Sequence, residues 1–148
     1  MAQVTSFILN AHREAQTKAF AKKLASEISI PNIILLEGDL GAGKTTFTKG
    51  FLSFFGVSEA EVQSPTFAYV NQYFCNSLTI SHFDLYRLNS DEEFLALGFE
   101  EYLFSSDICL IEWPQIITPI LTQSPHLKIT LSFKDEESRK LEVSHVEV

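Results

Sequence analysis

Cysteine is scarce in this chain: Cys75 and Cys109 are the two present in 148 residues. Both lie in apolar surroundings, and their positions lack metal-ligand spacing. That excludes a disulfide scaffold and predicts ordinary core or strand residues of a reduced, intracellular protein. Long hydrophobic runs are missing too. No segment approaches the ~20 apolar residues that span a bilayer. Met1 to Leu9 has a brief apolar patch and no basic leader, so no signal peptide is expected. The cytoplasm is the default compartment. Positive charge is also in short supply: eleven Lys plus Arg face nineteen Asp plus Glu, a net charge of −8. Proteins that grip nucleic acid unaided usually present a basic face, because neutralised phosphates supply most of the affinity. Any role near RNA is therefore expected to run through a partner. Internal repeats, low-complexity tracts and linkers are absent, which leaves residues 1–148 as one domain. A domain of that size buries ~68–70% of its unfolded surface.

What the chain does hold is concentrated between Asn32 and Phe55. Gly38-Asp39-Leu40-Gly41-Ala42-Gly43-Lys44-Thr45 matches G-x-x-x-x-G-K-S/T in full. Glycines at this spacing let backbone amides turn inward around a β-phosphate, which a Cβ would obstruct. A helix starting near Lys44 adds its unpaired amides and the positive end of its dipole. Lys44 offers a mobile point charge for β- and γ-phosphates, and the Thr45 hydroxyl is a hard oxygen ligand for Mg²⁺. The flanks fit the motif. Ile33 to Leu36 form an unbroken apolar run, as in a strand covered on both faces. Phe47, Phe51 and Phe55 recur every four residues, giving the following helix one buried stripe, with Gly56 at its end.

Along the rest of the chain, residues 5–9 predict a short edge strand. Asn10 is the expected N-cap of a helix to about Ile28, with Phe20, Leu24 and Ile28 on one face and Pro31 ending it. Ser64-Pro65-Thr66-Phe67 forms a rigid corner. Phe67 to Tyr73 and Leu78 to Tyr86 predict a hairpin around Cys75-Asn76-Ser77. Ser90-Asp91-Glu92-Glu93 opens a short helix through Leu97, closed by Gly98. Asp107 to Trp113 predicts a second buried strand, and Pro114 and Pro119 bracket a loop or short helix. A final hairpin joins Leu127–Phe133 to Arg139–Val146 through Asp135 to Ser138. The expected fold is α/β: a P-loop NTPase-like mixed sheet with flanking helices, one domain, and antiparallel hairpins in the second half.

Carboxylates at strand ends on the loop's edge are candidates for work on a nucleotide. Glu112 follows Ile108 to Ile111 in a Walker-B-like position. Asp84 stands in His82-Phe83-Asp84-Leu85-Tyr86-Arg87, where it could act on substrate or pair with Arg87. His82 reads as a hydrogen-bonded structural imidazole. Trp113 fits either a core place or a partner contact. Thr66 fits either a γ-phosphate sensor or a turn.

Gly38–Thr46, Ser64–Phe67, His82–Leu88 and Ile111–Pro114, in this order and in so short a chain, closely resemble the TsaE (YjeE) family. Members are small P-loop ATPases that assist biosynthesis of threonylcarbamoyladenosine in tRNA and bind the TsaB–TsaD complex. The resemblance implies ATP and Mg²⁺ as cofactors, TsaB–TsaD as protein partners, and tRNA as an indirect one. It makes Gly41, Ala42, Gly43, Lys44, Thr45 and Thr46 the phosphate cradle. Thr45 and Glu112 become the Mg²⁺ ligands, and Asp84 the catalytic acid that positions or deprotonates water beside Lys44. Glu14 and Arg139 are implied to flank the adenine. No free arginine is obviously available as a finger: Arg87 is the one candidate, or else a partner completes the site, so slow turnover alone and faster turnover with partners are expected. Two rivals share the loop. A small-molecule kinase needs an acceptor pocket and usually an arginine-rich lid, and no arginine cluster follows the second helix. A nucleotide-gated binding module would use ATP to shape a docking surface, with incidental hydrolysis.

Overall fold

The computed structural model describes residues 3–30 and 32–147; Pro31, the expected end of the first helix, lies outside them. The chain runs β1 (Gln3–Ala11), α1 (Glu14–Glu27), β2 (Asn32–Glu37), α2 (Lys44–Ser53), β3 (Val70–Cys75), β4 (Leu78–Asp84), α3 (Asp91–Ala96), α4 (Phe99–Ser105), β5 (Ile108–Glu112), β6 (His126–Phe133) and β7 (Arg139–Glu147). Short 3₁₀ segments occur at Glu59–Glu61 and Pro114–Leu121.

One seven-stranded mixed sheet has the order β1-β7-β6-β2-β5-β4-β3. Parallel pairing joins β2 to β5 and β6, and β4 to β5. The pairs β1/β7, β6/β7 and β3/β4 are antiparallel. This is the expected α/β architecture. In β2, Ile33 to Leu36 are all buried because the strand is covered on both faces. Alternation divides them: Ile34 and Leu36 pack with Phe47, Phe51 and Leu110, while Ile33 and Leu35 pack with Phe83, Phe94 and Ile111. Phe47 and Phe51 form the buried stripe of α2, and Phe55 continues it in the turn after the helix has ended at Ser53, with Phe47–Phe51 and Phe51–Phe55 ring centroids 6.3 and 5.7 Å apart. Gly50 lets α1 approach α2: a Cβ there would stand 2.4 Å from the Lys18 carbonyl oxygen. Both cysteines are free thiols, and burial pushes Cys109 up to about 12. Among the described residues, no helix is long and apolar enough to cross a membrane.

Several boundaries differ from the sequence expectation. Asn10 is not an N-cap; it lies within β1, paired with Lys140. Strand pairing outweighs its capping preference, and α1 starts at Glu14 after Arg13 in extended conformation. Gln16 stabilises that start by accepting the His12 amide at 2.5 Å. β3 begins at Val70 rather than Phe67. The Tyr69 amide turns back to the Pro65 carbonyl at 2.6 Å, and Tyr69 takes φ 67°, so the intervening residues form a turn. The β3/β4 hairpin forms as expected, but Cys75 pairs with Leu78 rather than turning and β4 stops at Asp84, short of Tyr86; the turn is Asn76 and Ser77, both with positive φ, as a two-residue type I′ turn requires. Ser90 caps α3 by accepting the Glu93 amide at 3.1 Å. Gly98 closes α3 and also serves as N-cap of α4, a helix that sequence reading missed.

Candidate functional site

Open α/β sheets place ligands beyond the carboxyl ends of their parallel strands. Here β2, β5 and β4 end together, with Leu36 aligned to Glu112 and Glu112 to Asp84. Two carboxylates therefore terminate neighbouring strands beside the loop that leaves β2. That loop enters α2 through Gly43 at φ 108°, a conformation strained for any residue with a Cβ. Among the described residues no side chain caps the start of α2, so its amides and dipole remain available to an anion. Lys44, Thr45, Thr46, Gly41 and Gly43 from this segment share a cavity of about 430 Å³ with Asp84, Glu112, Thr66 and Trp113.

Lys44 is 5% exposed. Its Nζ donates to the Gly38 carbonyl at 2.7 Å and lies 3.7 Å from the Trp113 ring centroid. Burial pulls its pKa below the ordinary lysine value, against the opposing influence of Glu112, Asp84 and Asp39. Asp84 is held from three sides. Its Oδ2 accepts from Ser64 Oγ at 3.2 Å and Thr66 Oγ1 at 3.1 Å, and its Oδ1 from the Tyr86 amide at 3.0 Å. Arg87 instead lies 5.1 Å from the Phe67 ring centroid. Glu112 is buried, with Oε2 2.6 Å from His82 Nε2.

The remaining sequence candidates are distributed around the loop. Ala42 is fully buried, and its amide donates to the Asp39 carbonyl at 3.0 Å. Thr46 Oγ1 donates to Glu14 Oε1 at 3.4 Å, and Glu14 also lines the cavity. Arg139 stands outside that cavity. Its guanidinium donates to the Gly41 carbonyl at 3.4 Å, packs 4.4 Å from the Phe133 ring centroid, and shares a second recess of about 630 Å³ with Glu14. Tyr86 was missed by sequence reading. It lines the cavity with its ring 4.9 Å from Trp113, and its place two residues after Asp84 was the available signal. Among the described residues, no group of three or more His, Cys, Asp and Glu could hold a metal alone. Thr45 and Glu112 do supply hard oxygen donors lining the same cavity, a donor type that suits Mg²⁺.

A mixed sheet whose central parallel strand feeds a glycine-rich loop and helix, with two acids at adjoining strand ends, defines an α/β protein of P-loop NTPase-like architecture. The model of the family "Threonylcarbamoyl adenosine biosynthesis protein TsaE" matches residues 11–141. The tRNA threonylcarbamoyladenosine biosynthesis protein TsaE of Rickettsia felis is 44% identical over 132 residues, 89% of this chain and 75% of that protein. Its namesake from Rickettsia bellii is 41% identical over 138 residues, 93% of both chains. That of Bacillus subtilis is 39% identical over 126 residues, 85% of this chain and 77% of its own. The crystal structure of Bacillus subtilis YdiB superposes with a TM-score of 0.80 at 31% identity, covering 98% of this chain and 88% of that one. The chain belongs to the TsaE family.

Proposed function

We propose that this chain binds ATP with Mg²⁺ and hydrolyses it in support of tRNA threonylcarbamoyladenosine biosynthesis, acting through the TsaB–TsaD complex. One observation carries the reading. Lys44 and Thr45 from a helix start, Asp84 from β4 and Glu112 from β5 meet in one cavity beside the glycine-rich loop. In this reading the loop amides and Lys44 bind the phosphates, and Lys44 meets charge that develops on the γ-phosphoryl group. Asp84, fixed by Ser64, Thr66 and Tyr86, orients the attacking water and receives its proton. Thr45 and Glu112 hold Mg²⁺, which supplies charge neutralisation at the phosphate oxygens. Glu14 and Arg139, on the walls of the adjoining recess, flank the adenine.

Among the described residues no arginine lines the cavity, so in this reading a partner completes the charge balance. The test is ATP turnover with Mg²⁺, measured for the chain alone and with TsaB–TsaD and tRNA. Slow turnover alone and a clear rise with the complex are expected. Equal rates with and without partners would sink the partner requirement, and calorimetry showing no heat with Mg·ATP would sink the reading as a whole.

A further inference from the structure

We propose that His82 is a positioning residue for Glu112, and through it for the divalent cation assigned above to Glu112 and Thr45; the inference rests on that assignment. His82 precedes Asp84 by two residues on β4 and is aligned with Leu110. It therefore shares a sheet face with Ile80, whose packing neighbours Leu36 and Leu110 are apolar. Only 1% of His82 is exposed. A leucine or phenylalanine would fill that place without the cost of burying an imidazole. The ring's polar contact runs diagonally across the strand boundary, from Nε2 to Glu112 Oε2 at 2.6 Å. Nδ1 is buried and has no hydrogen-bond partner among the described residues.

Those two facts assign the tautomer. A carboxylate that binds a cation can only accept, so in the role assigned to Glu112 it is Nε2 that carries the proton and donates. A proton on Nδ1 would leave a buried donor unpaired, whereas a bare lone pair there is the milder defect. One oxygen of Glu112 is thereby tied to a ring that is itself locked by packing, which fixes the rotamer of a carboxylate lining the cavity. Outer contacts of this kind, holding a metal ligand in place, are typically worth about 10–100-fold in metal affinity. A purely space-filling histidine would make no such contribution.

The experiment is calorimetric titration of ATP into the full chain, in EDTA and in Mg²⁺, for wild type, His82→Phe and His82→Gln. The quantity read is the ratio of the two dissociation constants. His82→Phe should lower that ratio about 10-fold or more while leaving the EDTA affinity unchanged. His82→Gln, whose amide nitrogen can donate near the former Nε2 position, should retain most of it. A wild-type ratio in His82→Phe overturns the positioning role and leaves Glu112 as a ligand. Equal weakening in both buffers overturns it in favour of a structural role. A wild-type ratio of one overturns the Glu112 assignment together with the proposal. Should His82→Phe fail to fold, the ¹⁵N ring spectrum of wild-type His82 decides instead. The Nε2–H tautomer should appear and respond to Mg·ATP but not to ATP in EDTA; an Nδ1–H tautomer, or a ring indifferent to metal, overturns the proposal.

Discussion

Lys44 is pulled two ways. The proposed role needs a bare ammonium close to where phosphates bind, yet burial disfavours that charge and lowers its pKa below 10.5. Lowering means the folded state holds the proton less readily than the unfolded chain, so the charge costs stability wherever both states are protonated. That cost is complete below the folded pKa and fades as pH rises through it toward 10.5. Lys44→Met should therefore melt at a higher temperature than wild type without nucleotide, with the gap narrowing at alkaline pH, and should gain no stability from Mg·ATP. Thermal melts across pH check all three. Asp84 allows a separate prediction. Its two oxygens are placed by Ser64, Thr66 and Tyr86, and asparagine keeps the shape while losing the basic oxygen. Asp84→Asn should bind Mg·ATP as wild type does and lose turnover by about 100-fold or more. Retained turnover would remove Asp84 from the chemistry. Retained support of repeated tRNA modification without turnover would favour nucleotide-gated binding over hydrolysis.

At the scale of elements, the β2–loop–α2 unit was legible because its local signals agree. An apolar run, glycines at fixed spacing and a four-residue aromatic repeat all point to the same structure. Elsewhere the signals conflicted. Asn10 has the chemistry of a cap, but nine-residue pairing of β1 with β7 claims it for the sheet. Gly98 reads as a stop, and it is also the left-handed start of α4. Gly50 carried no readable signal, since its importance lies in the approach of α1. An alanine there meets the Lys18 carbonyl oxygen and Cα, both backbone atoms that cannot swing aside. Gly50→Ala should destabilise by about 1–3 kcal/mol, roughly 2–4 °C of melting temperature per kcal/mol. Chemical denaturation would measure it. Because α2 begins with Lys44 and Thr45, ATP affinity should fall with it; a wild-type melt would show that the two helices separate freely.

Long-range pairing decides what sequence order cannot. Ala11 pairs with Arg139, so the start of α1 and the start of β7 lie side by side, and Glu14 and Arg139 come to line one recess. Neither residue has a local motif that announces this; family resemblance alone pointed to them. Charge is a property of the same scale. Between Arg87 and Lys128 the chain has no lysine or arginine, while Asp91, Glu92, Glu93, Glu100 and Glu101 crowd α3 and α4. That flank repels a phosphate backbone, and the net charge of −8 leaves little to release counterions elsewhere. The chain alone should give no shift of tRNA in a native gel at physiological salt, with or without Mg·ATP. Adding TsaB–TsaD should bring it into a tRNA-containing complex. Tight tRNA binding by the isolated chain, weakening steeply with salt, would mean that a basic face outweighs this acidic flank and that the protein meets its RNA directly.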